Sequence, residues 1–379
     1  MKYRLYMAAA VAILIAPFFQ MNSAVAADTN SSICSASAIK MQTSCNFEVK
    51  EEYHATIAHC INFSEYDERV DCRKEARETY IEDKAGCRAQ KDARRDVCEL
   101  LQEDRYDPDP LTDPTLAFVD PNTIGDSTMP NPYFSLVAGT TQVLRAGEDF
   151  EESIVVHVTE DVREILGVEC RIVVDIVLLA EDDGEGGVDY EAVEVTDDYY
   201  AQAQVTNDVY YCGEVARNFE DGALVNLDGS FEAGRDFAKA GILIKANPWA
   251  GDAHRQEWLL GEAEDVIRYV GVTEGPPAEE GGENPNDDAF SCSMHGGCVK
   301  TEEFIPPEPE SGEFKYFLAG TGFVLGVGLE DGEITGERDE LVCIGDSLDI
   351  LADPSCGIED ADKLREELCR LSPDAFCED

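Results

Sequence analysis

Basic side chains are scarce in this chain of 379 residues, which has 29 Lys and Arg against 80 Asp and Glu and a formal net charge of −51. Nucleic acids and anionic membrane surfaces attract proteins through basic faces, so neither is expected as a general partner. Residues 28–106 hold 12 basic and 17 acidic side chains and are nearly balanced, so most of the excess of Asp and Glu lies after residue 106. A solvated, salt-adapted surface would explain this excess, and specific cation binding is the alternative.

Metal-binding and catalytic signatures are also lacking. The chain has no CxxC pair, and its five histidines are scattered rather than set at ligand spacing, which disfavours zinc. His54 and His59 lie five residues apart and so do not share a face of a helix. No EF-hand calcium loop is present. We therefore assign no catalytic, cofactor-binding or metal residue and identify no cofactor, although divalent cations such as calcium stay an option.

Long apolar runs are absent except at the N-terminus. Residues 1–26 combine Lys2 and Arg4, the apolar run Met7–Phe19 and the small residues Ala24–Ala26, which predicts a cleaved signal peptide. The run is shorter than the ~20 residues that a membrane span needs. We expect a secreted protein, periplasmic or extracellular, with no transmembrane anchor in the mature chain and an unknown extracellular partner.

Fourteen cysteines fit an oxidising compartment in which all can pair. Six lie in residues 27–106, with palindromic gaps of 11, 15, 12, 15 and 11. Steps of 11 and 15 are close to three and four helical turns, so the cysteines of each arm stay near one helix face. The pattern predicts a helical hairpin folded about residues 64–68 and stapled by three nested disulfides. The predicted pairs are Cys34 with Cys98, Cys45 with Cys87, and Cys60 with Cys72.

The hairpin arms are too polar to bury much area, so the disulfides would replace a core. The hairpin is either a partner-binding stalk or a structural appendage, and self-association through it is one option. Residues 107–132 are rich in Pro and Asp, which predicts a linker.

Residues 133–330 are predicted to form an antiparallel β domain organised around the hairpin Asp197–Phe219, where two aromatic and β-branched runs flank an Asn207-Asp208 turn. Many short strand-like runs without intervening helices indicate a sandwich or an open barrel. The Cys-rich segment 331–379 is predicted to contain a short helix at 360–371. Its four cysteines are expected to pair among themselves, and they are Cys343, Cys356, Cys369 and Cys377. The predicted fold class is thus mainly β with α appendages.

Three local motifs could indicate chemistry, and each is weak. The sequence GDSL at 345–348 matches an esterase nucleophile block around Ser347, but no histidine follows it. The segment Cys292–Cys298 contains Met294 and His295 and could bind copper, although a disulfide between its cysteines leaves only two donors. Acidic clusters at 182–183 and 262–265 could serve a glycosidase, yet such clusters arise by chance in a chain with 80 acids.

Several segments resemble a family of secreted, uncharacterised bacterial proteins. They include NPYFSLVAGTT at 131–141, DDYYAQ at 197–202, ANPWAGDAHRQEW at 246–258 and FKYFLAGTGFV at 314–324. The resemblance covers about residues 131–327 and implies a β-rich secreted domain, but no activity and no catalytic residue. Cys170 and Cys298 fall in segments that resemble the family, whereas Cys212 and Cys292 do not, so the resemblance favours pairing Cys170 with Cys298 and Cys212 with Cys292.

Two rival disulfides, Cys170 with Cys212 and Cys292 with Cys298, stay open at this stage. The overall expectation is a secreted, disulfide-stabilised, acidic protein with a binding or structural role and no enzymatic one. The alternatives are a hydrolase with its site in a pocket of the β domain, and a calcium-dependent adhesive or matrix protein.

Overall fold

The structure is a computed structural model that describes residues 33–103, 105–147, 150–182, 184, 187–276, 281–282 and 289–377. The predicted signal segment, residues 1–26, lies outside the described residues. Within these ranges no helix has the length and apolar content needed to cross a membrane.

The predicted helical hairpin is present, with α1 at Ile33–Ile61 and α2 at Tyr66–Leu101. Its three disulfides are the nested pairs that the cysteine spacing predicts, with Cα atoms 5.6–5.8 Å apart. Only a few side chains inside the hairpin are buried, among them Ala38, Val49 and Ala76. The hairpin therefore depends on its cross-links rather than on an apolar core.

After the hairpin, the described residues form one sheet of fifteen antiparallel strands. They are β1 Thr141–Ala146, β2 Glu152–Ile165, β3 Val168–Asp182, β4 Val188–Gln202, β5 Val209–Glu220, β6 Ala223–Asn226, β7 Phe231–Glu232, β8 Lys239–Ile244, β9 Ala253–Arg255, β10 Glu257–Trp258, β11 Val266–Thr273, β12 Cys298–Phe304, β13 Ser311–Leu318, β14 Gly322–Glu330 and β15 Glu333–Gly345. The predicted central hairpin is formed by β4 and β5, which pair up to Gln202 and Val209. Asn207 in the turn has a φ of 61°, a conformation that Asn tolerates.

The sheet curls into a nearly closed barrel. Its strand order runs β10-β8-β5-β4-β3-β2-β1-β15-β14-β13-β12-β11-β9, and β6 and β7 pair with β5 outside this path. The two edge strands of this order, β9 and β10, are neighbours in the chain. β9 pairs with β11 at one edge, and β10 pairs with β8 at the other. Gly241 on β8 fits against the backbone of Arg255 and Gln256, where any side chain would collide. The segment 253–258 thus joins the two edges.

Two stretches of the chain differ from their predicted roles. The Pro/Asp-rich segment 107–132 is not an extended linker, because its apolar residues Leu111 and Ile124 are buried against the barrel. The sheet also continues past residue 330, since β15 pairs with both β1 and β14. Composition marked the first stretch as polar and Pro-rich, but a few apolar side chains are enough to fix such a segment on a core.

The predicted pairs Cys170 with Cys298 and Cys212 with Cys292 are wrong. Cys170 on β3 is bonded to Cys212 on β5, with Cα atoms 6.7 Å apart, and Cys292 is bonded to Cys298 with Cα atoms 5.1 Å apart. The first bond spans the intervening strand β4 beside Tyr199 in one apolar cluster. Whether a cysteine lies in a segment that resembles the family says nothing about its distance from another cysteine. The distance between the two Cα atoms decides which cysteines can pair.

The C-terminal tail consists of α3 at Ala361–Leu371 and α4 at Pro373–Phe376. Its cysteines pair among themselves, as Cys343 with Cys356 and Cys369 with Cys377. Leu364 and Leu368 pack with Val174 and Ile176 of β3, so the tail covers one outer face of the barrel.

Candidate functional site

The interior of the barrel is divided into an apolar half and an acidic half. Alternate residues of a strand point to the same face, so residues two apart can be compared directly. On β3 the apolar Val173 is followed by Asp175, and on β13 the apolar Phe317 is preceded by Lys315. On each strand the inward face thus changes from apolar to charged along its length.

The apolar half is a cluster drawn from strands on opposite sides of the barrel. Tyr200, Ile244, Ile267 and Phe317 belong to it, and the fully buried Leu136 enters from the segment before β1. His254 lies beside Tyr269 with ring centroids 5.7 Å apart, and neither of its nitrogens has a hydrogen-bond partner. Burial, with the charge of Lys245, lowers the pKa of His254 to about 3, so this imidazole is neutral.

The acidic half holds eight carboxyl groups and one ammonium group, and we call it the acidic lumen. Its members are Asp175, Asp198, Glu214, Glu257, Asp265, Glu303, Glu313, Asp339 and Lys315. They come from strands on all sides of the barrel, yet their charges act on one another. Asp175 on β3, for example, responds to Asp339 on β15 and Lys315 on β13. Asp175 and Asp198 lie two residues from Val173 and Tyr200 of the apolar cluster, so they face the same interior.

Lys315 is the cation within this lumen. Its Nζ lies 3.0 Å from Glu303 Oε2 and 3.3 Å from Glu313 Oε2. Burial opposes the charge of Lys315, but the two carboxylates more than offset it and raise the pKa of the ammonium well above its usual value. Burial raises the pKa of Glu313 to about 7 even with this ion pair. One ammonium therefore cannot neutralise the surrounding acids.

Asp198 and Glu214 lie directly opposite each other on β4 and β5. The Tyr211 hydroxyl lies within hydrogen-bond distance of both, 2.5 Å from Glu214 Oε2 and closer to Asp198. The hydroxyl has one proton to donate, so the second contact requires a proton on one of the carboxyls. Burial, relieved in part by this hydrogen bond, raises the pKa of Asp198 to about 7. The two acids therefore share a proton near neutral pH.

Asp175 has an oxygen without a partner. Its Oδ1 atom is sealed from solvent and accepts no hydrogen bond from the residues that the structure describes. Burial, followed by the charges of Asp198 and Glu194, raises the pKa of Asp175 well above its usual value. A buried acceptor without a donor is unfavourable, so Asp175 is one of the residues that make this half of the interior costly.

Two of the lumen acids, Glu313 and Asp339, line a cavity of about 510 Å³ together with Glu152 and Arg338. Its floor is made of the glycines of β13 and β14, Gly312, Gly326 and Gly328. A Cβ at Gly326 would collide with the carboxylate of Glu313 and lie 3.2 Å from Asp339 Oδ2. The missing side chains leave room beside these two acids.

The structure scatters the residues of the weak sequence motifs. Ser347 precedes a short 3-10 turn, Leu348–Ala352, at the end of β15. Met294 and His295 lie in the short loop closed by the Cys292–Cys298 disulfide. None of these three residues belongs to the acidic lumen.

The acidic clusters also separate. Asp265 belongs to the lumen, whereas its neighbour Glu264 pairs with Arg94 of α2 at 2.6 Å. Asp182 ends β3, and Asp183 lies outside the described residues. Among the described residues, no group of three or more His, Cys, Asp or Glu side chains has a geometry that could hold a metal ion.

Sequence reasoning missed the lumen because its acids are far apart in the chain. The signal in the sequence was an acid two residues from an apolar residue in a predicted strand, as with Asp175 and Val173. Without strand pairing, such an acid cannot be distinguished from one on the outer face.

Comparisons with known proteins give little further information. No protein-family model matches the chain, and no curated protein matches it. A solved structure from Bacteroides fragilis, whose description infers export and a YmcC-like fold, shares 12% sequence identity with a TM-score of 0.25. The match covers 56% of this chain and 97% of that chain. This likeness carries no argument about function, and the resemblance over residues 131–327 stays a prediction.

Proposed function

We propose that this protein is an exported binding protein that takes a positively charged small molecule into the acidic lumen. The carrying observation is the acidic lumen, in which eight carboxyl groups and a single ammonium share the barrel interior and two of the acids, Glu313 and Asp339, line a cavity of about 510 Å³.

An oxidising compartment supports export. All fourteen cysteines are in disulfides, and such bonds persist outside the cytoplasm. We also propose that the chain is divided into a signal segment, a stapled hairpin, a β domain and a Cys-rich tail. The β domain then includes residues 107–132 and β15.

The lumen already contains one example of the proposed contact. The Lys315 ammonium sits between Glu303 and Glu313, whereas Asp198 and Asp265 form no ion pair with any described residue. The raised pKa values of Asp198, Asp265 and Glu313, each about 7, mean that protons partly neutralise them at neutral pH. A cationic ligand would displace these protons, because an opposite charge favours the ionised form.

Isothermal titration calorimetry with 1,4-diaminobutane tests the proposal. We expect saturable binding at pH 7.5, release of protons that appears as a buffer-dependent heat, and no binding of the neutral 1,4-butanediol. The double substitution Glu313→Gln with Asp339→Asn should weaken binding at least about tenfold. The matched control, Glu164→Gln with Asp228→Asn, removes two exposed acids and should change affinity less than about twofold.

Equal weakening by the two double variants would overturn the proposal, since general surface charge would then explain binding. Calcium chloride at matched ionic strength forms a separate arm of the experiment. Tight calcium binding that excludes the diamine would favour the calcium-dependent adhesive role instead.

A hydrolase is the second candidate, and the pair Asp198 and Glu214 favours it. Two opposed carboxyls that share a proton can act as acid and base. As the loss of one of eight lumen acids, Glu214→Gln should weaken diamine binding less than the Glu313→Gln, Asp339→Asn double variant does, but it would abolish such an activity. A screen of chromogenic glycosides and esters against wild type and this variant separates the two functions.

A further inference from the structure

A second pocket, of about 270 Å³, lies where the base of the helical hairpin meets the barrel. We call it the joint pocket. Arg94 of α2 lines it from the hairpin, and Lys239, Arg255 and Trp258 line it from β8, β9 and β10. Tyr106, in the segment after α2, also lines it. None of these residues belongs to the acidic lumen, so the two spaces are independent.

The joint pocket reverses the charge balance of the chain. Its lining has four basic residues and three acidic ones, in a chain where acids outnumber bases by 80 to 29. All three acids are already paired. Glu264 pairs with Arg94, Glu103 with Arg255, and Asp107 with Lys239. The fourth base, Arg105, takes part in no ion pair among the described residues.

The two buried guanidinium groups keep unused donors. Arg94 and Arg255 have only 6% and 5% of their side chains exposed. Each uses Nε and Nη2 for its carboxylate, and neither Nη1 makes a hydrogen bond within the described part of the chain. Both arginines line the joint pocket. Two N–H-rich groups held rigidly at one pocket are suited to an anion.

Aromatic rings form the walls of the same pocket. The rings of Tyr106 and Trp258 are stacked, with centroids 6.0 Å apart and planes 20° apart. Lys239 lies 5.7 Å above the Trp258 ring, and the Arg255 guanidinium 6.0 Å from that of Tyr106. The Tyr106 hydroxyl donates to Ala240 O at 2.8 Å, which fixes that ring. Flat apolar walls suit a planar apolar ligand.

We propose that the joint pocket binds a small aromatic carboxylate. The carboxylate contacts Arg105 and the free Nη1 groups of Arg94 and Arg255, and the ring lies along Tyr106 and Trp258. Because the pocket is lined by both the hairpin and the barrel, an occupied pocket links the two. This proposal does not depend on the one for the acidic lumen, which has the opposite charge preference.

Tryptophan fluorescence provides a direct test on the full chain. The protein has two tryptophans, and Trp249 is 65% exposed and does not line the pocket. In the variant Trp249→Phe, Trp258 is the only reporter. Titration with benzoate at fixed ionic strength should give a saturable change with a Kd on the order of a millimolar, as expected for a ligand this small. Benzyl alcohol and benzylammonium should give none.

A second substitution assigns the binding to this pocket. Arg105→Gln should weaken benzoate binding at least about fivefold, whereas Arg235→Gln, at an exposed arginine elsewhere, should leave it unchanged. Arg105 is in no ion pair here, so its replacement should not unfold the chain, and a thermal melt checks this. Absence of saturable benzoate binding, an equal response to benzyl alcohol, or insensitivity to Arg105→Gln would each overturn the proposal.

Discussion

The apolar half of the barrel interior and the acidic lumen occupy the same strands but have opposite energetics. In the apolar half, side chains such as Ile267 and Tyr269 are almost completely buried and pack on one another. In the acidic lumen, Asp175, Glu214 and Asp265 keep partial exposure although charged neighbours surround them. The first half gains stability by excluding water. The second half loses stability at neutral pH, because burial and repulsion oppose its charges.

A fold keeps such an unfavourable region only when other parts of the molecule stabilise it, and such regions cluster at functional sites. The apolar half, the disulfides and the tail packed on β3 provide that stability. The comparison therefore teaches which half holds the barrel together and which half is the proposed ligand site. Substitutions in the two halves should separate these roles.

The largest effect is expected from Leu136→Ala in the apolar half. Leu136 is fully buried, so the cavity left behind should lower the free energy of unfolding by about 2–5 kcal/mol. Urea denaturation measures the change, and Leu224→Ala, at a residue 55% exposed on β6, is the control with a loss below about 0.5 kcal/mol. Similar losses for the two variants would show that Leu136 does not hold the core.

A smaller loss is expected from Lys315→Met in the acidic lumen. The substitution leaves Glu303 and Glu313 without their ammonium, which should lower the free energy of unfolding by about 1–3 kcal/mol at pH 8. The loss should shrink at pH 5, where protons replace the missing charge. Lys300→Met removes the same charge beside the Phe314 ring and is the control. A loss that does not depend on pH would argue against an electrostatic role.

Much of this fold could be predicted from the sequence, because its signals are local. The cysteine spacing gave the hairpin and its three disulfides, and the aromatic runs gave β4 and β5. Barrel closure through 253–258 could not be predicted, because β9 and β10 are only three and two residues long. The acidic lumen depends on strand register across the whole sheet, and a slip of one residue would turn Asp175 outward.

Removing one acid from the lumen should stabilise the protein. The pKa of Asp198 is about 7 in the folded state, against about 4 in the unfolded state. A carboxyl with a raised pKa stabilises the folded state below the unfolded pKa, and this stabilisation is lost as pH rises through the folded pKa. Asp198→Asn should therefore raise the free energy of unfolding by about 1 kcal/mol at pH 7.5 and change it little at pH 4. His157 and His254, whose pKa values burial lowers, act in the opposite direction but cancel in this difference.

The neighbouring residue provides the control for that substitution. Asp197 pairs with Arg217 at 2.9 Å, so Asp197→Asn should be neutral or slightly destabilising at both pH values. Stabilisation by both variants would mean that the total charge of −51, rather than the lumen, sets the effect.

The smallest change in stability, with a clear change in binding, is expected from Gly326→Ala. The added methyl group would collide with the Glu313 carboxylate and lie 3.2 Å from both Asp339 Oδ2 and Phe323 Cζ. The Glu313 carboxylate ends a flexible side chain and can move aside, so the free energy of unfolding should change by less than about 1 kcal/mol. Diamine affinity should fall about threefold to tenfold, because the methyl group occupies space beside the two acids.

Gly86→Ala on α2 is the control. The added methyl group meets no atom within 4 Å, so affinity should stay unchanged while the helix is stabilised by about 0.5–1 kcal/mol. Unchanged affinity in Gly326→Ala would mean that the ligand does not enter past the glycine floor, and the acidic lumen would then be a strained interior without a binding role.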